Sequence, residues 1–133
     1  MERPLVSSLE NTTSCPSHGS SVSCGWSHTQ TNVPVDVALA GTRVEMEAIE
    51  RSQRRNILGI TVPIPPPEHI TVMKALARRP RDIADIEGLL DRHPDMDLEQ
   101  VREMLGELAE ILEDPTLLED FDGLVQRWRD SHS

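Results

Sequence analysis

Alternating apolar residues predict two strands in the middle of the chain. In VPVDVAL, residues 33–39, and in LGITVPI, residues 58–64, every second position is apolar, which places those side chains on one face of a strand. Pro63 indicates that the second strand lies at a sheet edge or ends there. A short helix over 43–54 is predicted between the two strands. The strand, helix, strand order favours parallel pairing with a right-handed crossover.

A helical period dominates after the triple proline at 65–67. Helices are predicted from Glu68 to about Arg78, from Arg81 to Arg92, from Leu98 to Glu113, and beyond Pro115. Their inward stripes are predicted to be Ile70, Met73, Leu76 and Ala77; Ile83, Ile86, Leu89 and Leu90; Leu98, Val101, Leu105, Leu108 and Leu112; and Leu117, Leu118, Phe121, Leu124, Val125 and Trp128. The fold class is therefore α+β, with the last two helices expected to pair.

Helix starts are marked by capping residues. Thr42 and Glu45 have the spacing of a capping box, and Asp97 precedes a helix with Gln100 three residues later. Asp114 followed by a proline predicts the start of the last helix.

The first 31 residues contain eight Ser and four Thr and follow neither period. Composition predicts a disordered or non-native segment there. The predicted organisation is thus residues 1–31 without structure, a strand-containing part at 32–67 and a helical part at 68–133.

Charge is distributed unevenly along the chain. The net charge of −10 is the sum of −1 for residues 1–31, +3 for residues 32–81 and −12 for residues 82–133. The acidic last part argues against broad DNA binding, whereas the basic middle could receive an anion. No apolar run approaches the ~20 residues that span a bilayer, and the start lacks the plan of a secretory signal. A cytoplasmic protein with no membrane partner is expected.

The two cysteines belong to a small set of possible metal ligands. Cys15, His18, Cys24 and His28 offer the residue types of a tetrahedral zinc site. Their order and spacing fit no common zinc motif, and few apolar residues surround them. Thiols in a polar segment of a cytoplasmic protein are the preferred interpretation.

Positive charge concentrates in KALARRPRDIADI, residues 74–86, directly before the acidic part. Together with VPVDVALAG and LGITVPIPPPEHITVM, this segment resembles the C-terminal part of small bacterial nucleotidyltransferases, the group that includes AbiEii-type toxins of toxin–antitoxin systems. The resemblance covers about residues 32–130. Its most specific part is the spacing of Glu68, Lys74, Arg79, Asp82 and Asp85.

The resemblance implies functional roles for six residues. Asp36 matches a carboxylate of the catalytic core that holds Mg²⁺, the ion that bridges the phosphates of a nucleoside triphosphate. Lys74 and Arg79 match contacts to phosphate. Asp82 and Asp85 would hold Arg79 or Arg81 in place and would not bind metal. By residue type alone, the preferred interpretation of Asp36 is a polar, solvent-facing strand residue, and that of the others is an ordinary surface ion-pair network.

The chain departs from the family where the main metal ligands should be. The family signature is Gly-Ser followed about ten residues later by D-x-D, but the first aspartate after Gly19-Ser20 is the single Asp36. Asp95-Met96-Asp97 has the right letters between two predicted helices, which is the wrong context. We therefore expect a truncated family member that is weakly active or inactive. The reaction implied by the resemblance is nucleotidyl transfer from a nucleoside triphosphate to RNA or protein, and tRNA is one of the expected acceptors. The alternative is a non-catalytic module that binds a full-length relative or a cognate antitoxin.

Overall fold

The structure, a computed structural model, describes residues 9–11, 23–28, 30–38 and 40–133. In these residues three strands, one helix, two strands and four helices follow one another, so the α+β class is confirmed. The chain divides into two compact units, Met1–Met46 and Glu47–Ser133. The limits predicted after residues 31 and 67 stay predictions.

The first unit contains a three-stranded antiparallel sheet. Its strands are β1 (Leu9–Asn11), β2 (Ser23–His28) and β3 (Pro34–Ala38), with β2 in the centre. Two of these strands lie within residues 1–31, where no regular structure was predicted. Antiparallel pairing depends on backbone hydrogen bonds, and those need no apolar period in the sequence. The other residues of this segment, and the side chains of the proposed zinc set, lie outside the described residues.

Helix α1 (Arg43–Glu50) begins at the predicted capping box. Glu45 Oε2 accepts a hydrogen bond from the backbone N–H of Thr42 at 2.9 Å, and Thr42 Oγ1 accepts one from the N–H of Glu45 at 3.2 Å. The helix is shorter than predicted, because a strand begins at Gln53.

A second sheet is a hairpin of two strands, β4 (Gln53–Ile57) and β5 (Ile60–Ile64). They are antiparallel, with Ile57 opposite Ile60. The linking residues Leu58 and Gly59 have φ of 51° and 84°, the positive values of a tight hairpin turn. The predicted parallel pairing of the strands at 33–39 and 58–64 is therefore wrong. Because only two residues separate β4 from β5, these two strands pair with each other as a hairpin, and β3 pairs with β2.

Four helices complete the second unit, as predicted. They are α2 (Pro67–Ala77), α3 (Pro80–Arg92), α4 (Leu98–Ile111) and α5 (Thr116–Ser131). Asp97 Oδ1 accepts a hydrogen bond from the N–H of Gln100 at 3.0 Å, which confirms the predicted cap of α4. The D-x-D letters at 95–97 therefore occur in the turn before α4.

The core of this unit is aliphatic. Helix α2 packs against α3, α4 and α5, and α4 also packs against α5. Burial of each large side chain stabilises the fold by about 1.5–3 kcal/mol. The buried apolar residues of the four helices and their turns are Val72, Ile86, Leu90, Met96, Val101, Met104, Leu105, Leu108, Ala109, Leu117, Phe121, Leu124 and Val125.

The predicted inward stripe of α2 is wrong. Met73 and Leu76 are 37% and 39% exposed, whereas His69, Thr71 and Val72 are buried. Apolar residues occur on nearly every side of this helix, so the period does not select the face that meets its neighbours. Ile83 of α3 is likewise exposed instead of inward.

None of the described helices is long and apolar enough to cross a membrane.

Candidate functional site

The β4–β5 hairpin is unusually exposed to solvent for a pair of β-strands. All five residues of β4 are exposed, and Leu58 at the turn is 98% exposed. Ile57 and Ile60, on either side of the turn, are also exposed. Within the described residues this sheet has no third strand. A two-stranded sheet is at best marginally stable in water, so the hairpin is an incomplete element.

The two outer edges of the hairpin differ because of Pro63. Arg54 lies opposite Pro63, and proline has no N–H to exchange, so this is a non-hydrogen-bonded pair. Asn56 and Thr61, two residues on, form the next pair of this type. In such pairs the backbone N–H and C=O groups point away from the partner strand. Arg54 and Asn56 therefore turn their backbone groups to the outside of β4, whereas on β5 one of the two donors is missing.

Four of the charged residues that the resemblance singled out lie around the turn between α2 and α3. Asp82 is fully buried, and its carboxylate accepts hydrogen bonds from Arg79 Nε at 2.6 Å, from Arg79 N–H at 3.2 Å and from Lys74 Nζ at 3.3 Å. The bond from the Arg79 side chain is the main reason that the pKa of Asp82 falls to about 2. Asp82 thus stays ionised and fixes the start of α3.

Lys74 is neutralised within this cluster. Its Nζ donates to Asp85 Oδ2 at 2.7 Å as well as to Asp82, and hydrogen bonds to these carboxylates, Asp85 first, raise the pKa of Lys74. A phosphate group at Lys74 would have to compete with two carboxylates. Arg81 is exposed and makes no ion pair with the residues at 40–133.

A third arginine, Arg78, joins distant parts of the second unit. It ends α2 in the left-handed conformation, and its guanidinium donates to Asp114 Oδ2 at 2.8 Å and to Thr116 Oγ1 at 3.0 Å. The hydrogen bond from the Thr116 side chain and the charge of Arg78 lower the pKa of Asp114. Sequence reasoning missed Arg78, because no local signal connects residues 36 positions apart.

A groove beside these residues has a mixed lining. Its volume is about 440 Å³, and it lies between α2, α3 and α5. Lys74, Arg78 and Arg127 bring positive charge, but Glu119 and Asp120 also line it. This balance does not favour a polyanion such as a nucleoside triphosphate.

His69 is the most unusual buried side chain. It is 1% exposed, and neither ring nitrogen has a hydrogen-bond partner among the described residues. The nearest carboxylate oxygen, Glu47 Oε2, lies 3.9 Å from Nε2, too far for a hydrogen bond. Burial, assisted by Arg51, lowers the pKa of His69 against the opposing influence of Glu47 and Glu68. His69 is therefore neutral at pH 7.

The predicted site residues thus fall into three groups. Lys74, Arg79, Asp82 and Asp85 lie together at the α2–α3 turn. Arg81 stands apart from this network. Asp36 is in β3, opposite Gly25, but its side chain lies outside the described part of the chain. Among the described residues, no group of three His, Cys, Asp or Glu side chains could hold a metal ion.

No family model matches this sequence, and no curated protein matches it as a relative. The nucleotidyltransferase resemblance, with its Mg²⁺ and phosphate contacts, therefore stays a prediction.

Proposed function

We propose that this chain is a non-catalytic binding module that takes up an extended segment of a partner protein at the outer edge of β4. The observation that carries the proposal is the unequal pair of edges in the hairpin. Arg54 and Asn56 present backbone donors and acceptors on β4, and Pro63 interrupts the same row on β5. Strand addition of this kind obtains affinity from main-chain hydrogen bonds.

The exposure of the hairpin supports the same proposal. A third strand would convert a marginal two-stranded sheet into one of the minimum stable size. It would also cover part of the apolar surface of Ile57 and Ile60 near the turn. A full-length relative or a cognate antitoxin is the kind of partner that the resemblance implies.

A matched pair of proline variants tests the proposal. Arg54→Pro removes the outward N–H of β4, and Thr61→Pro removes the corresponding N–H of β5; neither removes a hydrogen bond between the two strands. The probe is a neutral peptide of alternating Thr and Val, titrated into the full chain by NMR. Binding is expected in the wild type and in Thr61→Pro, and loss of binding is expected in Arg54→Pro.

Arg54→Gln separates the lost donor from the lost charge, since it keeps the N–H. It should retain binding of the neutral peptide. Equal binding by both proline variants, or no binding by the wild type at millimolar peptide, would contradict strand addition at β4.

Nucleotidyl transfer is a second candidate, favoured by one observation. The residues that the resemblance assigns to phosphate, Lys74 and Arg79, lie together and share Asp82. The compensation of Lys74 by two carboxylates counts against it.

Incubation of the full chain with Mg²⁺, labelled nucleoside triphosphates and bulk tRNA distinguishes the two candidates. Transfer of label that disappears in Asp36→Ala would support the enzyme. Absence of transfer, together with peptide binding that Arg54→Pro abolishes, would support the module.

A further inference from the structure

We infer that the segment taken up by β4 is acidic and presents two consecutive carboxylates to Arg54 and Arg55. The inference rests on the proposed strand addition and specifies the chemistry of the partner.

The hairpin and the residues just before it carry three arginines that form no ion pair with the described residues, although Arg55 lines a groove with Glu68 and Asp95. Residues 51–67 contain Arg51, Arg54 and Arg55 and no acid. None of the three makes an ion pair with the residues at 40–133, and the side chain of Arg55 bonds only the neutral Gln53, at 3.2 Å. What distinguishes these three arginines is that the segment around them contains no acid, whereas Lys74 is paired with two carboxylates.

The geometry of a strand defines the pattern of the partner. Consecutive side chains point to opposite faces, so Arg54 and Arg55 lie on different faces of the sheet. A neighbouring strand can meet both only with acids at two consecutive positions. Ile57 shares the face of Arg55, so an apolar residue two positions from one of the acids would cover it.

A second copy of this chain does not fit that description, since none of its described strands contains two consecutive acids. Antiparallel pairing of two β4 strands about their centre would place Arg55 opposite Arg55, and like charges in this position are destabilising. The acids of residues 82–133 lie in α3, α4, α5 and the turns between them, so they cannot supply an acidic strand.

A nucleic acid fits less well than an acidic peptide. Its phosphates would meet three arginines, but it has no row of N–H and C=O groups to match the edge of β4. The net charge of −12 on residues 82–133 opposes either ligand at long range, and only a peptide gains backbone hydrogen bonds in compensation.

The test uses three peptides of one length in the same Thr and Val background, with a central Glu-Glu, Gln-Gln or Lys-Lys pair. Each is titrated into the full chain by NMR at low and high salt, beside a single-stranded RNA oligonucleotide. The Glu-Glu peptide is expected to bind about three- to tenfold more tightly than the Gln-Gln peptide, the size expected for two cross-strand ion pairs. High salt should reduce the difference.

The double variant R54Q/R55Q is expected to abolish the preference while it still binds the Gln-Gln peptide. Equal binding of the Glu-Glu and Gln-Gln peptides by the wild type would overturn the acidic preference. If Arg54→Pro then bound neither peptide, strand addition at β4 would still be supported. Tighter binding of the RNA than of the Glu-Glu peptide would also overturn the inference. Failure of all three peptides to bind would overturn the inference and the proposed function together.

Discussion

Pro63 lies directly opposite Arg54 in the antiparallel ladder of β4 and β5. Because proline cannot donate, this pair fixes which residues of the hairpin turn their backbone groups outward. The β4 edge keeps both outward donors, those of Arg54 and Asn56, and the β5 edge keeps only that of Thr61. The outer edge of β4 can therefore pair with another strand, whereas Pro63 hinders pairing at the outer edge of β5. This arrangement suits one specific binding edge and limits aggregation through the other.

Replacement of the protecting proline should make the chain associate with itself. Pro63→Val restores the missing donor and adds a β-branched residue at an exposed edge. The weight-average mass, measured by light scattering over a range of protein concentrations, is expected to rise above that of the wild type. Pro65→Ala, outside the strand, serves as the control. Identical masses for Pro63→Val and the wild type would show that Pro63 protects nothing.

The turn residue Leu58 should be replaceable with a gain in stability. At φ 51° a leucine is strained, by about 1–2 kcal/mol, whereas asparagine tolerates this region and is favoured before glycine in such turns. Leu58→Asn is expected to raise the free energy of unfolding by about 1 kcal/mol in urea denaturation. A decrease would mean that the exposed leucine makes a stabilising contact that the described residues do not show.

His69 should make stability depend on pH. Its folded pKa lies below the ordinary value of 6.5, so the unfolded chain binds more protons between the two values. Protonation of this buried ring opposes folding, so the free energy of unfolding should be constant above pH 6.5 and fall as the pH drops through the folded pKa. His69→Leu is expected to make the urea midpoint less dependent on pH over this range. It is also expected to raise the free energy of unfolding at pH 7 by about 1 kcal/mol, because two unpartnered buried nitrogens disappear.

Exposed His93, which follows the last residue of α3, offers a control that also removes one imidazole. His93→Gln should not raise the free energy of unfolding at pH 7, because no unpartnered buried nitrogen disappears. An unchanged pH profile in His69→Leu would rule out the buried imidazole as its source.

The fold and the proposed edge differ in how far the sequence predicts them. Helices α2 to α5 follow from the 3.6-residue period and from caps such as Asp97. Strand β4, with the sequence QRRNI, has no apolar alternation and was missed, since an exposed strand has no buried face to record in its pattern. The turn also carries Leu-Gly instead of the stronger Asn-Gly signal.

The sequence predicts only the part of the charged site whose residues are close together along the chain. Lys74, Arg79, Asp82 and Asp85 lie within twelve residues of sequence, and such local spacing survives folding. Arg78 reaches Asp114 across 36 positions, and that pairing depends on the packing of α2 against α5. Burial of His69 likewise depends on which side of α2 meets its neighbours.

The buried carboxylate of Asp82 should matter more than its exposed neighbour. Asp82→Asn leaves Arg79 and Lys74 without their common partner, and the urea midpoint at pH 7 is expected to fall clearly. Asp85→Asn, which loses a half-exposed ion pair, should cost about 0–1 kcal/mol.

The pH dependence follows from the lowered pKa of Asp82. Its contribution is present above pH 3.8 and is lost as the pH falls towards 2, so wild type and Asp82→Asn should converge in acid. A constant difference between the two proteins from pH 7 to pH 2 would contradict the assigned ion pairs.

The most direct test of strand addition is amide hydrogen exchange at single-residue resolution, measured by NMR on the full chain with and without a saturating Glu-Glu peptide. The amides of Arg54 and Asn56 are predicted to gain protection, because they would become donors to the added strand, while that of Thr61 keeps its rate. Unchanged exchange at Arg54 and Asn56, or protection at Thr61 instead, would contradict the assignment of β4 as the binding edge.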